Sequence, residues 1–167
     1  YDNLPPEIKA RFPLARDSAS ELLFAHNNSS ITVGTSMRSG TLQYLHVSEF
    51  GKICAKFPDK AKEVLTGSIP AVAPNGIVII ESTAEGDEGA FFNMAETARK
   101  KKEQGDKLTK KDYKFNFYPW HGAQEYRLEA DIHITAKEHE YFDRIEQECG
   151  IEIDQEQRNR DIATRDN

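Results

Sequence analysis

Apolar residues are concentrated in short β-rich runs and in longer stretches with helical spacing. Four β-rich runs occupy residues 21–25, 31–34, 42–47 and 77–80. The polar residues 27–30 between the first two runs predict a hairpin. The fourth run is entirely β-branched, and such a run is typical of a strand buried on both faces of a parallel sheet.

Proline, glycine and a capping motif predict where the helices begin and end. Residues 6–12 predict one short helix. Residues 58–67 begin with a proline, which suits a first helical turn, and end with a glycine, which suits a helix terminus. Apolar spacing predicts another helix over residues 91–105. The capping box at residues 135–138 starts a helix that is expected to end at Gly150.

Strands alternate with helices between residues 42 and 118, and this order predicts an α/β fold with a mostly parallel sheet. Residues 113–118 alternate well enough to predict a further strand. The connector at residues 70–76 carries two prolines and a glycine, so it is expected to lack regular structure. His46 lies within an apolar strand and is expected in the core.

Composition and charge limit the class of protein. The 167 residues suffice for one ordinary domain, and the net charge of -6 argues against DNA binding by the whole surface. Basic residues are concentrated at residues 99–114, which form either a phosphate-binding surface or a solvated helix end and loop. Cys54 and Cys149 have no metal-site spacing and predict buried, reduced thiols. No apolar run reaches the roughly 18 residues that a membrane span requires.

Small polar clusters follow two of the predicted strands. Ser48 and Glu49 follow the third β-rich run. Glu81, Ser82 and Thr83 follow the fourth. Ligands of open α/β sheets bind outside the carboxyl ends of the strands, so the two clusters are expected to share one crevice. Glu49 can orient a water for attack on a γ-phosphate, or the Ser-Glu pair can cap the following turn. Ser82 and Thr83 can bind a phosphate oxygen, a water or Glu49, or form a Ser/Thr turn.

Further features bear on nucleotide chemistry. Arg38 lies in a predicted loop, where an arginine either reaches the phosphate of a neighbouring subunit or is an ordinary surface residue. The acids between residues 81 and 88 do not have the spacing of a Ca²⁺ loop and predict a solvated turn. The sequence contains no Gly-x-x-x-x-Gly-Lys-Ser/Thr phosphate loop, which leaves this chain without an obvious means of holding a triphosphate.

Taken together, residues 31–41, 45–51 and 80–86 resemble three motifs of the large subunit of tailed-phage terminases, the motors that package DNA. The motifs are the loop before Walker B, the Walker B strand and the coupling motif. The resemblance implies part of a RecA-like, P-loop NTPase type sheet with flanking helices and a C-terminal helical linker. In the family's sheet, the phosphate-loop strand lies beside the coupling strand, so that edge of the present chain is expected to be unpaired.

The resemblance also implies roles for individual residues. Glu49 corresponds to the catalytic glutamate, and Ser82 and Thr83 correspond to the element that couples hydrolysis to motion. Arg38 stands where some members have a loop arginine that acts in trans on the next subunit. Ser48 stands where the family commonly has an Asp, so it is expected to be only a weak, water-mediated Mg²⁺ ligand.

The same resemblance implies the larger context. Residues 1–125 correspond to the C-terminal part of an ATPase domain without its Walker A part, and residues 126–167 to a helical linker toward a nuclease domain. The implied cofactors are ATP and Mg²⁺. The implied partners are double-stranded viral DNA, the portal protein, the small terminase subunit and other copies in a ring. The implied location is the cytoplasm of the bacterial host, with no membrane association.

The isolated chain looks like a piece of a longer protein, and it is expected to hydrolyse little or no ATP. Two alternatives to a working motor follow from the same residues. The first alternative is a non-catalytic RecA-like interaction module or decayed prophage remnant, which Ser48 and the missing phosphate loop favour. The second is a DNA-binding module that uses the basic residues 99–114.

Overall fold

The computed structural model describes residues 1–35 and 40–165. The chain forms two compact units, Tyr1–Lys114 and Phe115–Asn167. The first unit is a mixed α/β structure with two small sheets, and the second is built mainly from two helices. Within the described residues, no helix combines the length and the apolar character needed to cross a bilayer.

The first unit begins with one short helix and a three-stranded antiparallel sheet. The elements are α1 (Pro6–Arg11), β1 (Leu14–Asp17), β2 (Glu21–Phe24) and β3 (Ser30–Thr32). The predicted hairpin is confirmed, because β2 pairs with β3 around a turn in which Asn28 adopts a positive φ of 55°. Asn tolerates this conformation better than most residues. The short strand β1 was not predicted.

The rest of the first unit is a parallel βαβ arrangement. Its strands are β4 (Leu42–Val47) and β5 (Val72–Ile80), which pair in parallel. The connection contains α2 (Phe50–Lys56), α3 (Pro58–Glu63) and one π-helical turn (Val64–Ser68). After β5 comes α4 (Gly89–Gln104), which ends at the predicted glycine. The expected α/β class is therefore confirmed. The parallel sheet is small, however, because it contains two strands, and the other three strands form the separate antiparallel sheet.

The start of β5 differs from the prediction. The strand begins at Val72 and includes residues 74–76, which were expected to be irregular. A register shift in the pairing with β4 accommodates residues 74–76. Leu42 pairs with Val72, whereas Tyr44, two residues later, pairs with Ile77. A side chain at Gly76 would place its Cβ 2.5 Å from Val72 Cγ1 and 2.8 Å from a backbone oxygen. The glycine therefore permits a bulge in a connector that was expected to lack regular structure.

Helices cover only one face of the parallel pair. Leu45 and Val47 are buried in a core with Phe50, Ala61 and Val64. On the other face the side chains are exposed, by 74% at Tyr44, 48% at Ile77 and 52% at Ile79. The prediction that residues 77–80 are buried on both faces is therefore wrong, because α2, α3 and α4 pack on the same side.

Two other sequence expectations are wrong because nothing packs on the outer face of the sheet or pairs with its edge among the described residues. His46 is on the exposed face and not in the core, and its Nε2 lies 3.5 Å from Glu81 Oε1. Residues 113–118 are irregular and not a strand, and the Tyr118 side chain is 87% exposed. An alternating sequence forms a strand only beside a partner, and within the described residues β5 pairs with β4 alone.

The second unit packs two helices around one aromatic residue. Its helices are α5 (Ala136–Cys149) and α6 (Gln155–Arg165), and a 3₁₀ turn spans Trp120–Gly122. Phe142 is fully buried with Ile153 and Ile162, and Trp120 packs against them. The predicted capping box at Thr135 and the helix end at Gly150 are confirmed.

Buried polar side chains fix the segment between the 3₁₀ turn and α5. Asn159 is almost fully buried, and its Nδ2 donates to the carbonyl oxygen of Ala130 at 2.6 Å. Gln157 Nε2 donates to the His121 carbonyl oxygen at 2.8 Å. Since a buried amide without partners is destabilising, these bonds specify where the irregular segment lies on α6.

The two cysteines are free, as predicted, but their burial differs from the expectation. Cys54 is half-buried against the first core, whereas Cys149 is exposed. Cys149 is the last residue of α5, where the helix surface faces solvent.

Glu146 gives the second unit a pH-dependent contact. Its Oε1 accepts the Ile153 N–H at 2.7 Å and a bond from Arg158 Nη2 at 3.0 Å. These bonds, with the backbone one larger, hold the pKa of the Glu146 carboxyl below its ordinary value. A carboxyl with a lowered folded-state pKa stabilises the fold above its unfolded pKa of about 4.3, and this contribution is lost as pH falls through the folded value.

We expect urea unfolding of the second unit to shift to lower urea concentration as pH falls below about 4.3. Trp120, the single tryptophan, reports on this unit through its fluorescence. The Glu146→Gln variant should lose part of this pH dependence. Glu140 is exposed on the same helix, so Glu140→Gln is the matched control and should keep it. Equal pH dependence in wild type and Glu146→Gln would contradict the assignment.

Candidate functional site

The parallel pairing brings the two predicted polar clusters to one end of the sheet. Val47 pairs with Ile80, the last residue of β5. Beyond them, the Glu81 N–H donates to the Val47 carbonyl oxygen at 3.0 Å, and the Phe50 N–H donates to the Glu81 carbonyl oxygen at 3.1 Å. These bonds hold the chain after β4 beside the chain after β5. We call Ser48, Glu49, Gly51, Ser82 and Thr83 the strand-end site.

Glu49 has a backbone conformation that the sequence did not indicate. Its φ of 56° and ψ of 36° are left-handed, and it directly precedes α2. Its exposed side chain makes no capping bond to this helix, so the capping role considered from the sequence is absent for Glu49. A left-handed non-glycine residue costs about 1–2 kcal/mol, and such strain is concentrated at functional sites.

Gly51 brings α2 into close contact with the chain after β5. A Cβ at this position would lie 2.9 Å from Ser82 Oγ, 3.2 Å from the Thr83 carbonyl oxygen and 3.1 Å from Phe91 Cδ1. Only hydrogen fits in this space. Sequence reasoning missed this residue, although a glycine two residues after a candidate catalytic acid, in the first turn of a helix, is a usable signal because glycine lowers helix propensity.

Ser82 has a buried hydroxyl without a partner. Its Oγ is shielded from solvent and makes no hydrogen bond to any described residue, Glu49 included. A Ser/Thr turn through Ser82 is therefore not observed. The neighbouring Thr83 side chain is exposed. Buried hydroxyls are almost always bonded, so an unbonded one packed against the first turn of α2 requires an explanation.

The charged residues around the site are paired across its rim. Glu81 faces His46, and Glu85 Oε1 lies 3.8 Å from Lys56 Nζ of α2. Within residues 1–35 and 40–165, no group of three His, Cys, Asp or Glu side chains is arranged to hold a metal ion. Ser48 is exposed and offers one neutral oxygen. Mg²⁺ prefers oxygen ligands, so Ser48 fits such an ion only weakly, with waters and phosphates supplying most of the ligands.

The space at the site is small. A cavity of about 130 Å³ is lined by Gly51, Glu85, Phe91 and Ala95, among others. Ligand pockets are usually about 300–1,000 Å³, so a nucleotide does not fit inside this cavity. A nucleotide would instead lie over the exposed carboxyl end of the strands. Arg38, the candidate arginine finger, lies outside the described residues.

Comparisons with protein-family models, with curated proteins and with solved structures found no match to this chain.

We expect Gly51→Ala to destabilise the first unit by about 1–3 kcal/mol, because the added methyl overlaps backbone and side-chain atoms. Urea unfolding followed by far-UV circular dichroism measures the change. Gly122→Ala is the matched control, since its Cβ would meet only Pro119 Cγ at 3.8 Å. Equal stability of the two variants would show that α2 and the Ser82 segment are not in close contact.

Proposed function

We propose that this chain is the part of a terminase-type DNA-packaging ATPase that contains the Walker B strand and the coupling motif. The observation that carries the proposal is the parallel register of β4 and β5. This register is the arrangement that the resemblance implies, with Glu49 after one strand and Ser82 and Thr83 after its neighbour. Open α/β sheets bind their ligands at this end of the strands.

In the intact motor, Glu49 orients the water that attacks the γ-phosphate of ATP. Two features of Glu49 support this role. Its carboxylate is exposed beyond the strand, and a left-handed backbone fixes its position. Ser48 offers a hydroxyl to Mg²⁺ through water, and the ion, when bound, neutralises charge on the phosphates.

Ser82 and Thr83 couple the state of the nucleotide to motion of the chain. Gly51 places α2 against both residues, so a displacement of the turn at Glu49 meets this segment directly. Because the hydroxyl of Ser82 is buried and unbonded, it gains a partner when this segment moves during the cycle. Thr83 is exposed, so its hydroxyl is accessible to a phosphate lying over the strand ends.

The rest of the motor supplies what the site lacks. Two observations support this proposal. One face of the parallel sheet is uncovered, although parallel sheets are ordinarily covered on both faces, and the cavity at the site is too small for a nucleotide. A phosphate loop elsewhere in the motor holds ATP, and Arg38 acts on the nucleotide of the next subunit in a ring. The proposed partners are double-stranded viral DNA, the portal protein and the small terminase subunit, in the cytoplasm of the bacterial host.

A second candidate is a non-catalytic RecA-like interaction module, such as a decayed prophage remnant. Ser48 in place of an acid and the lack of a phosphate loop in this sequence favour it. The strained Glu49 favours the catalytic proposal, since a module without catalysis has no use for that strain. The two candidates differ in the activity of the site when a phosphate loop is present.

We expect the 167-residue chain to show no ATP turnover above background. Joined to the coding sequence that precedes it in its source DNA, it should hydrolyse ATP in the presence of Mg²⁺. In that longer protein, Glu49→Gln should lower kcat by about 10²–10⁴-fold, because the general base is lost. Phosphate release measures both reactions, and nucleotide binding by Glu49→Gln should be retained.

Two further variants separate the roles of the residues. Ser82→Ala should lower kcat in the longer protein without lowering its stability, because the hydroxyl that is removed has no bond to lose. Glu140→Gln, on an exposed helix position, should hydrolyse ATP normally. An inactive longer protein that still binds ATP would favour the interaction module. Hydrolysis by the 167-residue chain that Glu49→Gln abolishes would contradict the need for a separate phosphate loop.

A further inference from the structure

The basic segment, residues 99–114, differs in charge from the rest of the chain. It contains eight Lys or Arg residues and three Asp or Glu residues, a formal charge of +5 in a chain of net charge -6. The segment runs from the last turns of α4 through Gly105 into an irregular stretch, so a helix end and loop are observed, and whether they also bind phosphate depends on which of their cations are unpaired. Such a concentration of one sign is the electrostatic signature of a polyanion-binding surface.

Internal contacts hold the loop of the basic segment against α4. Lys101 Nζ is paired with Asp112 Oδ1, and the other oxygen of Asp112 accepts the Thr109 N–H at 2.9 Å and the Thr109 hydroxyl at 2.7 Å. These bonds, led by the one from Lys101, keep the pKa of Asp112 well below its usual range. One lysine is therefore used to neutralise the acid that shapes the loop.

Five further lysines of the basic segment are available to a ligand. Arg99 is paired with Glu96 and Glu103 on α4. Five others are exposed, and no ion pair is found for them in the described part of the chain: Lys100, Lys107, Lys110, Lys111 and Lys114.

A groove runs between α4 and the loop. Its volume is about 280 Å³, and Asn93, Thr97 and Lys101 line it on the helix side. Lys111, Asp112 and Tyr113 line it from the loop, and Met94 and Ala98 add apolar surface on the helix side. Lysine, asparagine and threonine side chains are among the groups that contact phosphate oxygens in protein–DNA complexes. Because Lys101 is paired with Asp112, Lys111 is the lining cation that is left for a phosphate.

We propose that the basic segment binds the phosphate backbone of double-stranded DNA without reading its sequence. Single strands are normally bound by stacking on aromatic rings, and the basic segment contains only Tyr113, which is half-buried. An anionic membrane is the less favoured partner, because Phe91 and Met94 of α4 pack in the core and are not free to enter a bilayer. This inference rests on the proposed packaging function, since it assigns the surface of this chain that contacts the packaged DNA.

The test is fluorescence anisotropy of the 167-residue chain with a short labelled duplex of mixed sequence, without nucleotide, across salt concentrations. The triple variant Lys107→Ala, Lys110→Ala, Lys111→Ala should weaken binding about tenfold or more at about 0.1 M salt. It should also reduce the slope of log K against log salt by about 2–3, because about 0.9 counterions are released per phosphate contact. The matched control, Lys52→Ala, Lys60→Ala, Lys62→Ala, removes exposed lysines from α2 and α3 and should bind nearly as wild type.

Three outcomes would overturn the proposal. They are a wild-type chain that does not bind the duplex, equal loss of binding in the two triple variants, and tighter binding to phosphatidylserine vesicles or to single-stranded DNA than to the duplex. Circular dichroism of each variant checks that the fold is intact. The binding assay contains no ATP, so its result does not depend on ATP hydrolysis. If the chain binds DNA through these lysines, the DNA-binding proposal stands even when Glu49→Gln has no effect on hydrolysis.

Discussion

The pairing of β4 with β5 is the constraint on which the candidate site depends. Since side chains alternate along a strand, a slip of one residue would send the buried face to solvent and separate the two polar clusters. The register is held at its end by the Glu81 N–H bond to the Val47 carbonyl oxygen. Burial of Leu45 and Val47 beneath three helices opposes any slip. Core packing and site geometry therefore have one cause.

The site combines a strained, exposed acid with a buried hydroxyl that has no partner. Each feature is unfavourable for the isolated fold, and features of this kind are concentrated at functional sites. The exposed side chains of Tyr44, Ile77 and Ile79 are consistent with the same view, since a parallel sheet is ordinarily covered on both faces. Under the proposed function, the rest of a larger ATPase covers this face, which an independent module would leave exposed.

Local signals predicted the elements that local chemistry determines. The capping box at residues 135–138 and the glycines that end α4 and α5 were sufficient for those helices, and the turn at residues 27–30 was sufficient for the hairpin. Burial of residues 77–80 and pairing of residues 113–118 depend on neighbours that no single segment reveals. The positive φ of Glu49 and the contact of Gly51 arise where two distant segments meet, so the sequence predicted that the two polar clusters lie at one end of the sheet but not the geometry there.

The central claim is that Glu49 belongs to an ATPase whose phosphate loop is encoded beside this segment. Determining the coding DNA sequence on both sides of the segment tests it most directly. The account predicts an in-frame Gly-x-x-x-x-Gly-Lys-Ser/Thr motif upstream, preceded by a strand and followed by a helix. An initiation codon immediately before Tyr1 and a stop codon immediately after the last residue would contradict it, because the complete protein would then have no means of holding ATP.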